Sequence, residues 1–313
     1  MSNLVSTSIA ADPDIIAQLL ADKRSINTKR AYQKDLKDFF NHTFEQPPSQ
    51  ELIAEFLQLE RFTAIAIVLK YKSQLITRGL KEATVNRRLS AIKSLVNFAN
   101  KIGHCEWNLN QVQGEQVQAY RDTTGVNLQA IKAMLGIPNQ ETINGKRDYA
   151  ILRLLWDNAL RRSEVVRTNV SDFDIHSRSL LILGKGRGTQ KTSISLSHPT
   201  IAAIQAWLDT RKDPPAHYPL FISLAPGSYG QRLNNNFIYK LVDHVAKEVG
   251  IPKQMSPHRI RHSAITAALD ATNGNVRKVQ KLSRHKKIDT LMKYDDNRLD
   301  VQGEITDLLS NIL

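Results

Sequence analysis

The sequence has a single cysteine, Cys105, few aromatic residues (6%) and fewer acidic than basic side chains. No apolar run approaches the roughly 18–20 residues that span a bilayer. Each shortage excludes something. One thiol makes no internal disulfide and no multi-cysteine zinc site, so nothing points to an oxidising compartment, and a reducing cytoplasm is the expected location. Met1 to Pro13 lacks the basic start and apolar stretch of a signal peptide, which predicts a soluble protein that is not exported.

The remaining composition is that of a folded protein. Hydrophobic residues make up 41% and charged residues 23% of 313 positions, ordinary values for a globular chain and enough length for two domains. The 43 Lys+Arg against 30 Asp+Glu leave a formal charge of +13, which attracts a polyanion and makes nucleic acid the first partner to consider. That charge is uneven. Residues 1–122 carry 16 basic and 13 acidic side chains, whereas residues 123–313 carry 27 and 17.

Hydrophobic spacing predicts an all-helical amino half. Ile15, Ile16, Leu19 and Leu20 fall at helical intervals, and Ser25 to Thr28 offer caps for a helix carrying Tyr32, Leu36, Phe39 and Phe40. Pro47-Pro48-Ser49 breaks the chain before helices near 52–59 and 63–78. Gly79 precedes another from Ala83 to about Asn100, with Val85, Leu89, Ile92, Val96 and Ala99 on one stripe. Residues 104–125 are polar, Gln-rich and aperiodic, and read as an interdomain linker. In the carboxyl half, Asn127 caps a short helix and 146–160 forms a buried one. Ser179 to Leu183 and Thr192 to Leu196 form a β-hairpin whose glycine-rich tip carries Lys185. Helical patterns return at 200–208, 235–249, 263–269, 275–282, 289–294 and 303–313. The expected fold class is mainly α with a small antiparallel β-sheet: a helical domain over 13–103, the linker over 104–125, and a mixed α+β domain over 126–313.

Five short stretches carry residues suited to one kind of chemistry. Arg161 and Glu164 lie in Ala159-Leu160-Arg161-Arg162-Ser163-Glu164, and a guanidinium matches phosphate oxygens bidentately. Lys185 sits between two glycines. His258 and Arg261 are three apart and share a face if helical, with His262 beside them. His285 stands in the basic run Arg284-His285-Lys286-Lys287, and Tyr294 follows nine residues later. Each alone has a plain structural reading: a solvated helix-end arginine, a solubilising hairpin lysine, a satisfied histidine, a backbone-binding patch, a packing tyrosine.

In order and spacing, Arg, hairpin Lys, His-x-x-Arg, His and Tyr resemble the tyrosine recombinase (phage integrase) family of Xer- and Cre-like site-specific recombinases. The resemblance extends to the amino half. Asn27-Thr28-Lys29-Arg30-Ala31-Tyr32 is similar to the start of that family's SAM-like core-binding domain, and Thr84 to Lys93 to its later DNA-contacting helix. Two departures stand out: Ala159 replaces a usual glycine, and Ser283-Arg284 replaces a usual Leu-Gly before His285.

The resemblance implies a site-specific recombinase that exchanges DNA phosphoesters through a 3′-phosphotyrosyl intermediate, without metal, ATP or other cofactor. Tyr294 is the implied nucleophile and Lys185 the acid for the leaving oxygen. His258 is the implied base, and Arg161, Arg261 and His285 stabilise the phosphoryl group. Glu164 and His262 support these residues from behind. Lys29, Arg30, Arg87, Arg88, Lys93, Arg284, Lys286 and Lys287 are the expected DNA contacts. Double-stranded DNA carrying a specific site is the expected partner, with self-association into a tetramer through a helix near 303–313 and possible accessory proteins. A type IB topoisomerase and a DNA-binding regulator without chemistry are the alternatives.

Overall fold

The structure, a computed structural model, describes residues 14–117, 125–184, 188–285, 287–296 and 301–312. The chain divides into two compact units, Met1–Ala119 and Tyr120–Leu313. No helix among the described residues is long and apolar enough to cross a membrane.

The amino unit is helical: α1 (Ile15–Asp22), α2 (Ile26–Phe44), α3 (Gln50–Gln58), α4 (Arg61–Thr77) and α5 (Glu82–Lys101). Side-chain caps set most of the starts. Asp14, Ser25, Ser49 and Glu60 each accept from a backbone N–H of the first turn and satisfy donors that the helix itself leaves open. The predicted stripes close on one core, with Leu36, Phe39 and Phe40 of α2 against Phe56, Tyr71, Leu89 and Ile92. Phe39 meets Phe40 and Phe56 edge-on at 5.2 Å and Tyr71 at 5.1 Å, the arrangement that ring quadrupoles favour.

The segment expected to be a linker belongs largely to this unit. Cys105, Trp107, Leu109 and Val112 are buried in the same core, and the Trp107 indole donates to the Leu57 carbonyl at 3.1 Å. Farther along, the Asn86 side chain donates to the Glu115 carbonyl (2.8 Å) and accepts from the Glu115 N–H (2.7 Å), while Lys72 pairs with the Glu115 carboxylate at 2.6 Å. An extended strap needs only a few apolar anchors, so it shows no periodicity. Residues 104–115 therefore fold with the helices.

The carboxyl unit runs α6 (Leu128–Gly136), α7 (Ile143–Asp157), α8 (Arg162–Val166), β1 (Phe173–Asp174), β2 (Ser179–Ile182) and β3 (Thr192–Ser195). It continues with α9 (His198–Leu208), α10 (Asn235–Glu248), α11 (Pro257–Ala271), α12 (Val276–Ser283), α13 (Asp289–Asp296) and α14 (Val301–Ser310). The hairpin strands β2 and β3 pair antiparallel with Leu180 opposite Ile194, and the short β1, not foreseen, adds Phe173 opposite Leu180. The main core gathers Ile151, Leu154 and Leu155 of α7 with Ile204 and Trp207 of α9 and Val242 of α10.

A second, smaller cluster positions the site. Ala159, Ala264, Ile265, Leu269, Val279 and Leu291 pack together and so join the corner after α7 to α11, α12 and α13. Residues more than a hundred positions apart in sequence thereby meet.

Candidate active site

The corner between α7 and α8 is built on an unusual backbone. α7 ends at Asp157, and Ala159 adopts φ of +45°, a left-handed conformation that costs a non-glycine residue about 1–2 kcal/mol. Its methyl group is fully buried in the smaller cluster, which offsets part of that cost. The turn sends Arg161 to the N-cap of α8, where the buried Glu164 holds it twice. The Arg161 backbone N–H donates to Glu164 Oε2 at 2.9 Å, and Arg161 Nη1 donates to Oε1 at 2.8 Å.

Helix α11 begins six residues before the sequence pattern indicates. Ser256 caps it by accepting from the Arg259 N–H at 3.3 Å, and Pro257 occupies the first turn, where its missing N–H costs nothing. His258, Arg261 and His262 therefore stand on one helical face. Arg261 is only 1% exposed, and its guanidinium donates to the carbonyls of Ala159 and Ser283. The α7–α8 corner and the end of α12 are thus tied to one arginine. His258 and His262 approach with their Nε2 atoms 2.7 Å apart and rings nearly perpendicular.

His285 lies beside this group, its Nε2 3.4 Å from Arg261 Nη2. A guanidinium only donates, so Nε2 of this histidine accepts; a bond from that nitrogen to a phosphate requires the ring to turn from Arg261. Burial, and then the positive charges of Arg261, Arg161 and Arg284, push the His285 pKa down to about 4, so the ring is neutral near pH 7. Glu164 moves the other way from what burial alone dictates. Desolvation raises its pKa, but Arg284 and the backbone and guanidinium of Arg161 outweigh it and hold the carboxyl below its ordinary value.

An open cleft of about 400 Å³ is lined by Arg161, His258 and Arg261 together with Ser163, Tyr239 and Ser256. Tyr239, on α10, has no sequence motif to announce it. Tyr294 lies on α13, whose Leu291 is fully buried in the smaller cluster. Lys185 and Lys286 lie outside the described residues.

Several of the residues expected to touch DNA are engaged within the protein. Arg88 is 9% exposed and pairs with Asp38 inside the amino unit, with the Tyr71 hydroxyl 3.3 Å away, so it is a core residue rather than a phosphate contact. Helical spacing places Arg87 outside and Arg88 inside, and only the exposed one of such a pair faces solvent. Arg87 pairs with the buried Asp35 while keeping 42% of its side chain exposed. Lys93 donates to the Val112 carbonyl at 2.6 Å and so helps pin the strap. Arg284 is also drawn inward, its side chain 14% exposed and 3.2 Å from Glu164. Arg30 and Lys287 are exposed and Lys29 is half-buried.

Comparison with known proteins shows the family and the fold. Residues 126–299 match the model of the phage integrase family, and residues 16–103 match that of the phage integrase N-terminal SAM-like domain. A tyrosine recombinase of Synechococcus elongatus is 51% identical over 302 residues, covering 96% of this chain and 94% of the relative. A tyrosine recombinase of Synechocystis is 51% identical over 300 residues, covering 96% of each chain. Among solved structures, the XerH site-specific recombinase bound to a palindromic difH substrate superposes with a TM-score of 0.67 at 19% identity, covering 90% of this chain and 81% of that one. The Tn1549 transposon integrase bound to transposon end DNA gives 0.64 at 16% identity, covering 89% and 94%. With both domains matched in order and two relatives aligned over nearly their whole length, this chain is a tyrosine recombinase of the phage integrase family.

Proposed function

We propose that the chain cuts and rejoins double-stranded DNA at a specific site by transesterification. Tyr294 Oη attacks a backbone phosphorus, the phosphorus–O5′ bond breaks, and the 3′ end remains esterified to the tyrosine. Rejoining reverses the step with a 5′ hydroxyl from a different strand. One ester is exchanged for another, so bond energy is retained in the adduct and no nucleotide hydrolysis is required.

The observation that carries this reading is the meeting of Arg161, His258 and Arg261 in one cleft from segments about a hundred residues apart. Charge develops on the non-bridging oxygens during attack, and fixed guanidinium donors in a partly dry site stabilise it more than water does. Arg261 is held by two carbonyls and Arg161 by a carboxylate, so neither needs to reorganise when the phosphate arrives. A phenol with a pKa near ~10 needs a proton acceptor, and in this reading His258, whose Nε2 meets that of His262, takes that part. Lys185, between β2 and β3 in the sequence, supplies the proton for the leaving oxygen.

DNA binding rests mainly on phosphate contacts. Residues 247–293 hold 11 Lys+Arg against 3 Asp+Glu, so affinity falls steeply with added salt. The apolar side chains of α14, Ile305, Leu308 and Leu309, are 51–63% exposed, and in our reading this helix docks on a neighbouring protomer when four assemble on DNA. Truncation after Asp300 then spares DNA binding and weakens assembly; unchanged assembly on gel filtration with bound DNA refutes the docking.

Covalent capture tests the central claim. Wild type and Tyr294→Phe are incubated with fragmented source DNA and denatured, and protein-linked fragments are sequenced. Fragments enriched only with wild type are the expected result and identify the target site. Equal recovery with both proteins refutes the nucleophile.

A further inference from the structure

The residue before His285 is the place where this chain does something its own backbone discourages. Arg284 is the C-cap of α12 with φ of +57°, a left-handed conformation in which glycine carries no penalty and a long side chain does. Its side chain does not extend to solvent in return. Nη1 donates to the carbonyls of Asn158 (3.1 Å) and Leu282 (2.6 Å), and Nη2 to the Ala159 carbonyl (3.3 Å) and Glu164 Oε2 (3.2 Å).

Those partners are the structural base of the arginine pair. Glu164 Oε1 holds the Arg161 guanidinium, and the same carboxylate's Oε2 takes both the Arg161 backbone N–H and Arg284. The Ala159 carbonyl receives Arg261 and Arg284 together. With Arg161 alone, Glu164 would cancel one cation with one anion. With Arg284 added, two guanidiniums share one carboxylate, and a net positive charge remains behind the cleft.

We infer that Arg284 is a positioning residue that clamps Glu164 and the Ala159 corner to the end of α12, and thereby fixes the Arg161 guanidinium for the phosphate. In this role it acts through Glu164. This rests on the proposed strand-transfer reaction for its consequence, but not for its geometry, so the two are tested separately.

The geometry is tested without DNA. In the full chain labelled with ¹⁵N-arginine, the Arg161 Nε–Hε signal, assigned through Arg161→Lys, reports how rigidly that guanidinium is held. Arg284→Gly suits the backbone and leaves the fold intact, as a thermal melt checks. The expected result is an Arg161 signal that shifts and exchanges faster in Arg284→Gly, and likewise in Arg284→Asn, since asparagine also tolerates the left-handed backbone. An unchanged Arg161 signal in Arg284→Gly overturns the inference, as does full restoration by Arg284→Asn, which has no guanidinium and would show that none is needed to hold Arg161.

The consequence is tested by single-turnover cleavage of the duplex recovered in the capture experiment. Misplacing a reacting group by about an ångström costs on the order of 100-fold, so Arg284→Gly is expected to lose about 10- to 100-fold with DNA affinity unchanged. Glu164→Gln should lose a similar factor, and the double variant little more than either single one, because the two act on the same guanidinium. Fully multiplicative losses overturn the route through Glu164. If capture yields no Tyr294-dependent adduct while the Arg161 signal still depends on Arg284, the strand-transfer reading fails and the clamp stands.

Discussion

Arg261→Lys separates what this residue does for the fold from what it does for the reaction. The guanidinium is 1% exposed and bridges two carbonyls on different elements, Ala159 at the α7–α8 corner and Ser283 at the end of α12. Lysine keeps the charge but is a point donor on a flexible stem, so it cannot hold the planar fork that reaches both acceptors at once. The Ala159 carbonyl keeps Arg284, but the Ser283 carbonyl loses its guanidinium in a buried setting, which costs about 1–3 kcal/mol. A protein with a typical stability of about 5–15 kcal/mol remains folded after that loss. The reaction is more sensitive. Losing one fixed donor to a developing oxyanion costs about 2.7–4 kcal/mol, or about 100- to 1,000-fold in rate. Urea denaturation and single-turnover cleavage of the captured duplex, run on the same preparation, read the two effects independently. The expected outcome is a modest drop in stability with a large drop in cleavage and unchanged DNA affinity. Cleavage within about threefold of wild type would refute the assignment of Arg261 to the phosphoryl group.

Other consequences are open to direct measurement. Trp107→Ala should destabilise the amino unit by about 3–5 kcal/mol, since it removes a buried indole packed edge-on against Phe56 at 5.6 Å and bonded to Leu57; a loss below about 1 kcal/mol in urea would mean that the 104–115 strap is not part of that core. His285, with a folded pKa of about 4 against an ordinary 6.5, favours its neutral form in the folded state, so its contribution to stability is complete above pH 6.5 and is lost as pH falls from 6.5 towards 4. His285→Gln should flatten that part of the stability profile, and an unaltered slope contradicts the burial of the ring. Lys185→Ala should be rescued by a bridging 5′-thiolate substrate, whose leaving group needs no proton; absence of rescue assigns the acid elsewhere.

The sequence by itself determined most of the helices with their apolar stripes, the β2–β3 hairpin and the chemical types of the site residues, because those depend on local periodicity and on functional groups; α8, β1 and the strap's share of the amino core carry no such signal. The stripe of Val85, Leu89, Ile92 and Val96 is buried as the 3.6-residue repeat requires, and the caps at Ser25 and Asn127 hold their helices' first turns. What tertiary structure alone decided are the properties that need two distant segments at once. Arg87 and Arg88 are chemically identical neighbours; helical spacing turns Arg88 towards the apolar stripe, and Asp38 and Tyr71 on other helices give its guanidinium partners there. The strap over 104–115 has no period to read, because a few anchors such as Trp107 seat themselves wherever the helices leave a groove. Arg284 reads as one more cation in a basic run, and its inward course follows from a left-handed cap that turns the side chain towards a carboxylate 120 residues earlier in the chain. Residue type and spacing specify which groups the reaction has available. The long-range packing of Ala159, Ile265, Val279 and Leu291 specifies which of them can act together, since burial of that cluster is what packs the α7–α8 corner, α11, α12 and α13 against one another.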